Sequence, residues 1–520
     1  MSQRPVIIGI DAGTSMIKAV AFDGDGRQLA VAARPNSYET LPDGGAVQDL
    51  PRTWNDAVAV LGDLVAEVDR LGGTVAAIGV TGQGDGTWLI DRDGLPVGKG
   101  WLWLDSRTAG QVERLRGDGT GARVYGITGC GITVCQQGMH LLWMKRHEPE
   151  TLARATTAFH CKDWLHFRLT GVRATDTSEG TSSFGDFSRR AYDPAVLEAL
   201  GIADLARLLP PMLDGTRESH PLAAEAARAI GLPAGTPVVL GNMDVVCTGL
   251  GGGLYDASRP VGCTVLGSTG MHMRIAHRAA DVGLNDGQAG YVMPFPVPGT
   301  WAQMHSNMAA TLNIDWIVDR AVEAAGWAGV QKSRREMLAE VDARVAAAEP
   351  GRVLYHPYIH EAGERGPFVD AHARAQFLGL STRAGLADLA RAVYEGLSFA
   401  ARDCYLAMGE MPVEVRIAGG AARSATLRRI LAAVLGTPVR TSSRDEAGAA
   451  GVAMMAAVQQ GHYPDMAACC AAWVDPLLGE PEAPDPELAA RYAALFPLYL
   501  RGSRQMRELW RELDGVHRAD

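Results

Sequence analysis

The chain has 520 residues, of which 47% are hydrophobic and 21% are charged, and its formal net charge is −10 at pH 7. This length exceeds what one hydrophobic core usually serves, which predicts two large domains or three small ones, and the composition excludes an intrinsically disordered chain. The acidic balance argues against nucleic acid or an anionic membrane as the main partner. No apolar run reaches the roughly 18 residues of a membrane span, so we expect a cytoplasmic protein.

The first hundred residues predict a β-meander followed by a helix and a further strand. The meander strands are predicted over residues 6–10, 17–22 and 28–33. A small-residue turn at residues 11–15, called the first turn below, joins the first two strands. A helix over 51–71 has proline in its first turn and apolar residues at helical spacing, and the strand 75–80 follows it.

The second half of the chain repeats this plan. The strand 261–266, the turn 267–270, called the second turn below, and the strand 271–275 match the opening hairpin. Later elements are predicted as helices over 384–408, 424–435 and 446–459 and strands over 413–417 and 438–440. The pattern predicts a duplicated α/β fold with a cleft between two domains, over residues 1–253 and 254–520.

The two turns are candidates for holding phosphate groups. Small residues in the string GIDAGTSMIK, residues 9–18, let backbone N–H groups and hydroxyls approach phosphate oxygens, and Asp11 can hold Mg²⁺ through its water shell. An ordinary hairpin turn is the alternative for either turn alone. One chain of phosphates held between both turns explains why each half carries one. The string AGGAARS, residues 418–424, lacks side chains that would keep a flat base from the backbone, although any α/β protein has strand-to-helix turns.

Two further segments suggest chemistry on a hydroxyl group. Asp244 follows the strand 237–240 at the usual ligand position of α/β sheets, where a carboxylate could take the proton of an attacking hydroxyl. A helix N-cap is the alternative for Asp244. The string TGQGDGTW, residues 81–88, presents an amide and a carboxylate among glycines, which suits the recognition of hydroxyl groups. Trp101 and Trp103 could line a carbon chain or could pack in the core.

Several separated strings resemble the FGGY family of carbohydrate kinases, in family order from about residue 6 to 460. They are GIDAGTSMIKAVAFD, GNMDVVCTGLGGG, VLGSTG, GERGPFVDAHARAQFLGL with DLARAVYEGLSFAARD, and IAGGAARSATLRRILAAVLGTPV. The resemblance implies two actin-like, ribonuclease-H-like domains that close on ATP, Mg²⁺ and a sugar or polyol, and phosphorylation of a terminal hydroxyl. An actin-like ATPase that serves as an interaction protein is the alternative of another class, but the sequence has no evident peptide-binding module.

The resemblance also implies roles for individual residues. Asp11 matches the magnesium-associated aspartate, and Asp244 matches the catalytic base. The candidate nucleotide-binding residues are Gly13, Thr14, Ser15, Lys18, Gly267, Ser268, Thr269, Thr311, Gly419, Gly420 and Ser424. The candidate substrate-binding residues are Gln83, Gly84, Asp85, Trp103 and Asp244. The Ser268-Thr269 pair reverses the family's usual order of threonine before serine.

The substrate-reading string departs from the family's best-known branches, where glycerol kinases have Gln-Arg-Glu and xylulose kinases have Gln-Met-His. Gly84 in place of a long side chain is expected to open the pocket, while Asp85 keeps a carboxylate that can accept two hydrogen bonds. These changes favour a linear polyol slightly larger than glycerol. The strings TGQGDGTWL, WLWLDSR and FHCKDWL are most similar to the branch that acts on erythritol. Xylulose, ribulose or another C4–C5 polyol or ketose is the alternative substrate, and a homodimer is one option for the assembly.

Overall fold

The computed structural model describes residues 4–517 and consists mainly of two six-stranded mixed sheets, one in each half of the chain. The strands of the first half are β1 (Arg4–Ala12), β2 (Met16–Phe22), β3 (Gln28–Pro35), β4 (Glu39–Thr40), β5 (Ala46–Gln48), β6 (Gly73–Gly82), β7 (Trp88–Ile90), β8 (Gly100–Trp101), β9 (Thr157–Phe159), β10 (Thr175–Asp176), β11 (Gly185–Asp186), β12 (Ala191–Tyr192), β13 (Met212–Leu213), β14 (His220–Pro221) and β15 (Pro237–Leu240). The helices of the first half are α1 (Leu50–Arg70), α2 (Ala109–Gly117), α3 (Thr120–Thr128), α4 (Gln137–His147), α5 (Pro149–Arg154), α6 (Cys161–Thr170), α7 (Thr177–Phe184), α8 (Pro194–Ala199), α9 (Ala224–Ile230) and α10 (Asp244–Gly252), with a 3₁₀ turn at Ala203–Leu208.

The second half has fewer strands and longer helices. Its strands are β16 (Val261–Leu266), β17 (Gly270–Ala276), β18 (Tyr291–Pro294), β19 (Trp301–Asn307), β20 (Leu354–His356), β21 (Gln376–Leu378), β22 (Glu414–Ala418) and β23 (Val439–Thr441). Its helices are α11 (Thr311–Trp327), α12 (Arg334–Ala347), α13 (Leu386–Ala407), α14 (Ala425–Leu435), α15 (Ala447–Gln459), α16 (Met466–Trp473) and α17 (Pro486–His517), with 3₁₀ turns at Ala279–Asp281, Gly420–Arg423 and Asp475–Leu477. No helix within residues 4–517 is long and apolar enough to cross a membrane.

The duplication predicted from the two hairpins is confirmed by the sheet topology. The strand order is β14-β15-β6-β1-β2-β3 in the first sheet and β18-β19-β17-β16-β22-β23 in the second. In both sheets the leading strand pairs antiparallel with the next one and parallel with a later strand, β6 for β1 and β22 for β16. The five strands β1, β2, β3, β6 and β15 therefore have counterparts in β16, β17, β19, β22 and β23.

Three neighbouring parallel strands bring the predicted polar residues to one edge of the first sheet. In the pairing of β1 with β6, Asp11 lies opposite Thr81, two residues before Gln83. In the pairing of β15 with β6, Leu240 lies opposite Val80, and Asp244 follows four residues later. Since parallel strands end at the same edge, residues that are far apart in the chain become neighbours there.

Helices α10 and α15 join the two halves at a glycine-rich crossing. A side chain at Gly251 would collide with the backbone carbonyl of Ala447, and one at Gly451 would collide with that of Cys247. Helix α15 also lies against β1, since a side chain at Gly9 would meet the carbonyl of Ala449. Buried residues of both sheets and of these helices form one shared hydrophobic cluster. The halves are thus packed through backbone contacts that only glycine permits.

Candidate active site

Two carboxylates from the first half of the chain lie at the strand edge with raised pKa values. Burial raises the pKa of Asp11 to about 6, an effect that the charge of Lys18 opposes. Burial, followed by the negative charge of Asp11, raises the pKa of Asp244 to about 7. Oδ1 of Asp11 is buried and has no hydrogen-bond partner within residues 4–517. The pair of carboxylates therefore forms a local excess of negative charge that favours a cation or a proton.

Asp244 is the first residue of α10, whose N-cap is Met243. Its Oδ1 accepts a hydrogen bond of 2.7 Å from the backbone N–H of Val245, and the N–H of Gly84 also binds its carboxylate. Asp244 thus does not stand at the cap position itself. Its carboxylate is oriented by two backbone donors at the edge of the sheet.

The first turn is tied to the predicted substrate segment by a hydrogen-bond network. The Thr14 hydroxyl donates to Oε1 of Gln83 at 3.0 Å and accepts from Nε1 of Trp103 at 2.8 Å. Nε2 of Gln83 donates to Oε1 of Gln48 at 2.8 Å, and Nε2 of Gln48 donates to the Thr14 carbonyl at 3.1 Å. Trp101 is buried in the core, as the packing alternative predicted, whereas Trp103 is only partly buried and reaches this network.

The side chain of Asn36 holds the first turn from the neighbouring strand end. Its Nδ2 donates to the Gly13 carbonyl at 2.8 Å, and its backbone N–H donates to the Ser15 carbonyl at 2.8 Å. Lys18, which we placed with this turn, lies instead in β2 opposite Asp11. Its Nζ is 2.9 Å from Oε2 of Glu446, so the ammonium joins the two halves across the edge of the sheet.

The second turn is held by the start of α11. The N–H of Ala310 donates to the Ser268 carbonyl at 2.8 Å, and the N–H of Thr311 donates to the Gly267 carbonyl at 3.0 Å. Within the turn, the Gly267 N–H donates to the Thr269 carbonyl at 3.1 Å. Thr311 therefore lies next to the second turn. Its predicted role in nucleotide binding requires such a position.

The glycine pair after β22 lies beside the second turn. Gly419 has φ +92°, and a side chain there would come within 2.6 Å of the Leu266 carbonyl, so only glycine fits this close approach. Next to it, a Cβ at Gly420 would have no atom within 4 Å. Ser424 caps α14 through a bond from the Leu427 N–H at 3.0 Å and donates its hydroxyl to Asp342. The open space in this segment is therefore at Gly420, while the Ser424 hydroxyl is already engaged.

The two turns lie near each other at the junction between the halves, which we call the interdomain crevice. Nη2 of Arg365 donates to the Ser306 hydroxyl at 2.8 Å, and that hydroxyl donates to the carbonyl of Gly270 in the second turn at 3.0 Å. The Arg365 guanidinium carbon lies 5.8 Å from the ring centroid of Trp103, which binds Thr14 in the first turn. A short chain of contacts thus connects the two turns.

The segment that is predicted to bind the substrate contacts the second half of the chain at Asp85. Its Oδ2 accepts from the Tyr291 hydroxyl at 3.1 Å and lies 3.5 Å from Sγ of Cys135, while its Oδ1 is buried with no hydrogen-bond partner within the described chain. Burial raises the pKa of Asp85, against the opposing charge of His160. Asp85 has φ +55°, a left-handed conformation that aspartate adopts more readily than most residues.

The space at Gly84 is narrower than the sequence suggested. A Cβ at this position would lie 3.3 Å from Oε1 of Glu179 and 3.3 Å from the Met243 side chain. The missing side chain therefore leaves a gap between these two neighbours. Met243 directly precedes Asp244, so the gap lies at the same strand edge as Asp244. Any larger residue at 84 would have to displace one of them.

Several residues at the site were not singled out from the sequence. They are Gln48, Glu179, Tyr291, Arg365 and Glu446. Arg365 lies within one of the strings that resemble the family, which was the available signal. The other four carry no local pattern, because their neighbours in space come from distant parts of the chain.

Comparison with known proteins identifies the family. The model of the N-terminal domain of the FGGY family of carbohydrate kinases matches residues 6–251, and the model of its C-terminal domain matches residues 262–460. The chain belongs to the FGGY family of carbohydrate kinases. It is therefore a phosphotransferase that uses ATP, and the predicted two-domain actin-like fold is confirmed.

This FGGY kinase is similar to characterised sugar and polyol kinases over its whole length. It is 51% identical over 508 residues to an erythritol kinase of Brucella abortus (strain 2308), covering 98% of each chain. It is 29% identical to a xylulose kinase of Escherichia coli (strain K12), covering 87% of this chain and 89% of the relative. Among solved structures, a gluconate kinase of Lactobacillus acidophilus aligns with a TM-score of 0.88 at 21% identity, covering 98% of this chain and 100% of the other, which shows the shared fold.

Proposed function

We propose that this kinase transfers the γ-phosphoryl group of ATP to a terminal hydroxyl of erythritol. The observation that carries the proposal is the 51% identity with an erythritol kinase over 98% of both chains. The site geometry agrees in kind, because a partly buried carboxylate, a hydroxyl-reading segment and two small-residue turns share one crevice. We further propose that the domains span residues 1–253 and 254–520 and that the enzyme works in the cytoplasm as a homodimer.

Asp244 is proposed as the general base. Its pKa of about 7 suits a group that must be ionised before reaction and must take a proton during it. The N–H groups of Val245 and Gly84 hold the carboxylate in place, so it can meet a substrate hydroxyl without reorienting. The hydroxyl proton passes to Asp244 as the substrate oxygen attacks the γ-phosphorus, and ADP leaves from the opposite side.

The residues at the strand edge fit a magnesium ion shared with phosphate. Mg²⁺ is commonly held by one or two carboxylates together with water and substrate phosphates, and Asp11 offers a buried oxygen without a hydrogen-bond partner in residues 4–517. In the same range, no group of three or more acidic, histidine or cysteine side chains could hold a metal alone. When bound, Mg²⁺ would neutralise negative charge on the phosphates. We therefore propose Asp11 as its protein ligand, directly or through water.

The remaining candidates are assigned by their position around the crevice. The exposed turn residues Ser15 and Ser268 are proposed to approach the phosphates from opposite halves, and Gly420 is proposed to lie against the adenine. The polyol is proposed to lie between Asp85 and Trp103. Gln83 supports this position indirectly, because its Oε1 accepts a hydrogen bond from the Thr14 hydroxyl.

The test is ATP consumption with Mg²⁺ and a panel of C3 to C6 polyols and ketoses. We expect the largest kcat/KM with erythritol and little ATP hydrolysis without an acceptor. A larger kcat/KM with xylulose or ribulose would favour the alternative that the 29% identity with xylulose and L-xylulose/3-keto-L-gulonate kinases supports. ATP turnover that no polyol or sugar stimulates would contradict the proposal.

A further inference from the structure

Glu179 is a buried acid with unused hydrogen-bonding capacity. It lies in α7 with 0% of its surface exposed, and neither carboxyl oxygen has a hydrogen-bond partner within residues 4–517. Nε2 of His160 is 3.5 Å from Oε2, too far for a good hydrogen bond. Burial raises the pKa of Glu179 to about 8, against the opposing charges of His160 and Lys162. Leaving such a group unsatisfied costs free energy, so its retention calls for an explanation.

The unused oxygens lie next to the catalytic edge. A Cβ at Gly84 would be 3.3 Å from Oε1 of Glu179, and the Gly84 N–H binds the carboxylate of Asp244. The Cβ and the sulfur of Met243 also border this gap, each 3.3 Å from a Cβ built at Gly84, and only the flexible thioether can move by changing rotamer.

A buried ionic network holds this region in place. Nζ of Lys162 lies 2.6 Å from Oδ1 of Asp163 and 2.5 Å from Oδ2 of Asp176. Asp176 also accepts from the Ser178 hydroxyl, whose oxygen accepts from the Met243 N–H at 3.0 Å. Helices α6 and α7 are therefore fastened to the strand end that carries Asp244. A side chain that such a network holds in place can bind a ligand hydroxyl with little further loss of conformational entropy.

We propose that Glu179 binds the hydroxyl that a four-carbon polyol has and glycerol lacks, and that Gly84 leaves the gap through which this end of the substrate reaches it. The inference rests on the proposed polyol kinase function and names a specificity-determining residue for it. A carboxyl group can accept a hydrogen bond in either protonation state and can donate one when protonated, which matches a hydroxyl that does both. A side chain at position 84 would cover Oε1, so the glycine and the buried acid act together.

The first test compares the wild type with Glu179→Gln, using erythritol and glycerol, the latter as substrate or competing ligand. We expect the KM for erythritol to rise about tenfold, because the glutamine amide keeps one acceptor oxygen but replaces the other with an NH₂ group that can only donate. The KM for ATP and the apparent affinity for glycerol should stay within about twofold, because neither ligand reaches Glu179 in this arrangement. A merely structural role would instead change all three values together.

Glu395→Gln is the matched control. Glu395 is also a buried carboxyl, but it accepts from Arg391 and Tyr492 in the second half. We expect this variant to lower thermal stability and to leave the ratio of erythritol to glycerol affinity unchanged. A shift of that ratio equal to the one in Glu179→Gln would overturn the inference, because any buried carboxyl would then have the same effect.

Gly84→Ala tests the gap without altering the acid and decides the matter if Glu179→Gln does not fold. Its methyl group would lie 3.3 Å from Oε1 of Glu179 and should weaken the binding of erythritol more than the binding of glycerol. The inference fails if folded Glu179→Gln keeps the wild-type KM for erythritol, as it would if a structural water satisfied the carboxyl. The inference also fails if either variant weakens the binding of erythritol and glycerol equally. A wild type that phosphorylates no polyol would instead refute the proposed function, a result independent of the variants.

Discussion

The two halves share one sheet topology but carry different chemistry at the ends of their corresponding strands. In the first half, Asp11, Asp85 and Asp244 lie at or just beyond the ends of β1, β6 and β15. In the second half, the matching strands β16, β22 and β23 are followed by Gly267, Gly419 and Ser442. At these positions one edge therefore offers carboxylates and the other offers glycine backbone and a hydroxyl group, while Glu446 of the second half is paired with Lys18 of the first.

This difference in charge between the two edges indicates how a duplicated fold could hold a polyanion and an alcohol together. A carboxylate-rich edge repels phosphate unless a cation intervenes, but it suits metal binding and proton transfer. An edge of small neutral residues admits phosphate oxygens and a flat base close to the backbone. Under the proposed function, this division of charge between the halves would orient ATP against the acceptor.

The substitution Asp244→Asn in the first half is expected to have the largest effect on activity. An amide cannot take the hydroxyl proton, so we expect kcat to fall by about 10³-fold or more while ATP binding changes little. Activity with erythritol and nucleotide binding by calorimetry would check both expectations. Asp193→Asn is the control, because Asp193 also accepts from a backbone N–H at a helix start, where asparagine caps equally well. An Asp244→Asn variant that keeps most of its activity would remove Asp244 from the role of base.

Gly251→Ala tests whether the two edges depend on the crossing of α10 and α15. The new methyl group would collide with the Ala447 carbonyl, and we expect the free energy of unfolding to fall by about 3 kcal/mol. The control is Gly126→Ala in α3, where a Cβ would meet no atom within 4 Å. That variant should gain about 0.5–1 kcal/mol from helix propensity. Equal stability of the two variants in urea unfolding would show that the crossing tolerates separation.

The pH dependence sharpens the role of the acidic edge. The pKa of Asp244 is raised from 3.8 to about 7, and a carboxyl that is protonated below its pKa cannot accept the substrate proton. We therefore expect kcat/KM for erythritol to fall about tenfold per pH unit below the pKa of Asp244, measured from about pH 5 to pH 9. Bound Mg²⁺ would offset the charge of Asp11 and move this limb to lower pH, but burial, the larger cause of the raised pKa, would remain. A flat profile from pH 5 to pH 7 would contradict the assignment.

Asp85→Asn tests whether the first edge reads the acceptor. Asparagine tolerates the left-handed backbone at this position, so the fold should persist, while the loss of charge weakens hydrogen bonds from substrate hydroxyls. We expect the KM for erythritol to rise about tenfold and kcat to change less. Steady-state kinetics at saturating ATP would measure both constants. An unchanged KM would mean that Asp85 serves only its Tyr291 contact.

Lys18→Met should have the smallest effect. The ammonium is paired with Glu446 and partly exposed, so its loss should change the free energy of unfolding by less than about 1 kcal/mol. If Lys18 serves the phosphates as well, the KM for ATP should rise several-fold. Glu446→Gln, measured beside it, removes the pair but keeps the lysine. A similar change in KM for ATP in both variants would assign Lys18 to the ion pair alone.

The sequence alone determined much of the fold, because local patterns decide local elements. The meander, the helix at Leu50–Arg70 and the repeated hairpin were predicted within a few residues of their observed bounds. Alternating apolar residues, small-residue turns and proline at a helix start are all read within a short window. The positions of Asp11 and Asp244 at strand ends follow from the same local information.

Only the tertiary structure decided which residues share the crevice and what their neighbours do to them. Tyr291 reaches Asp85 across 206 residues of chain, and Lys18 pairs with Glu446 across 428. Folding buries Glu179 beside Gly84, where its carboxyl oxygens have no hydrogen-bond partner among residues 4–517. Burial, close backbone approach and charge coupling depend on distances in space, and short-range sequence patterns do not encode those distances.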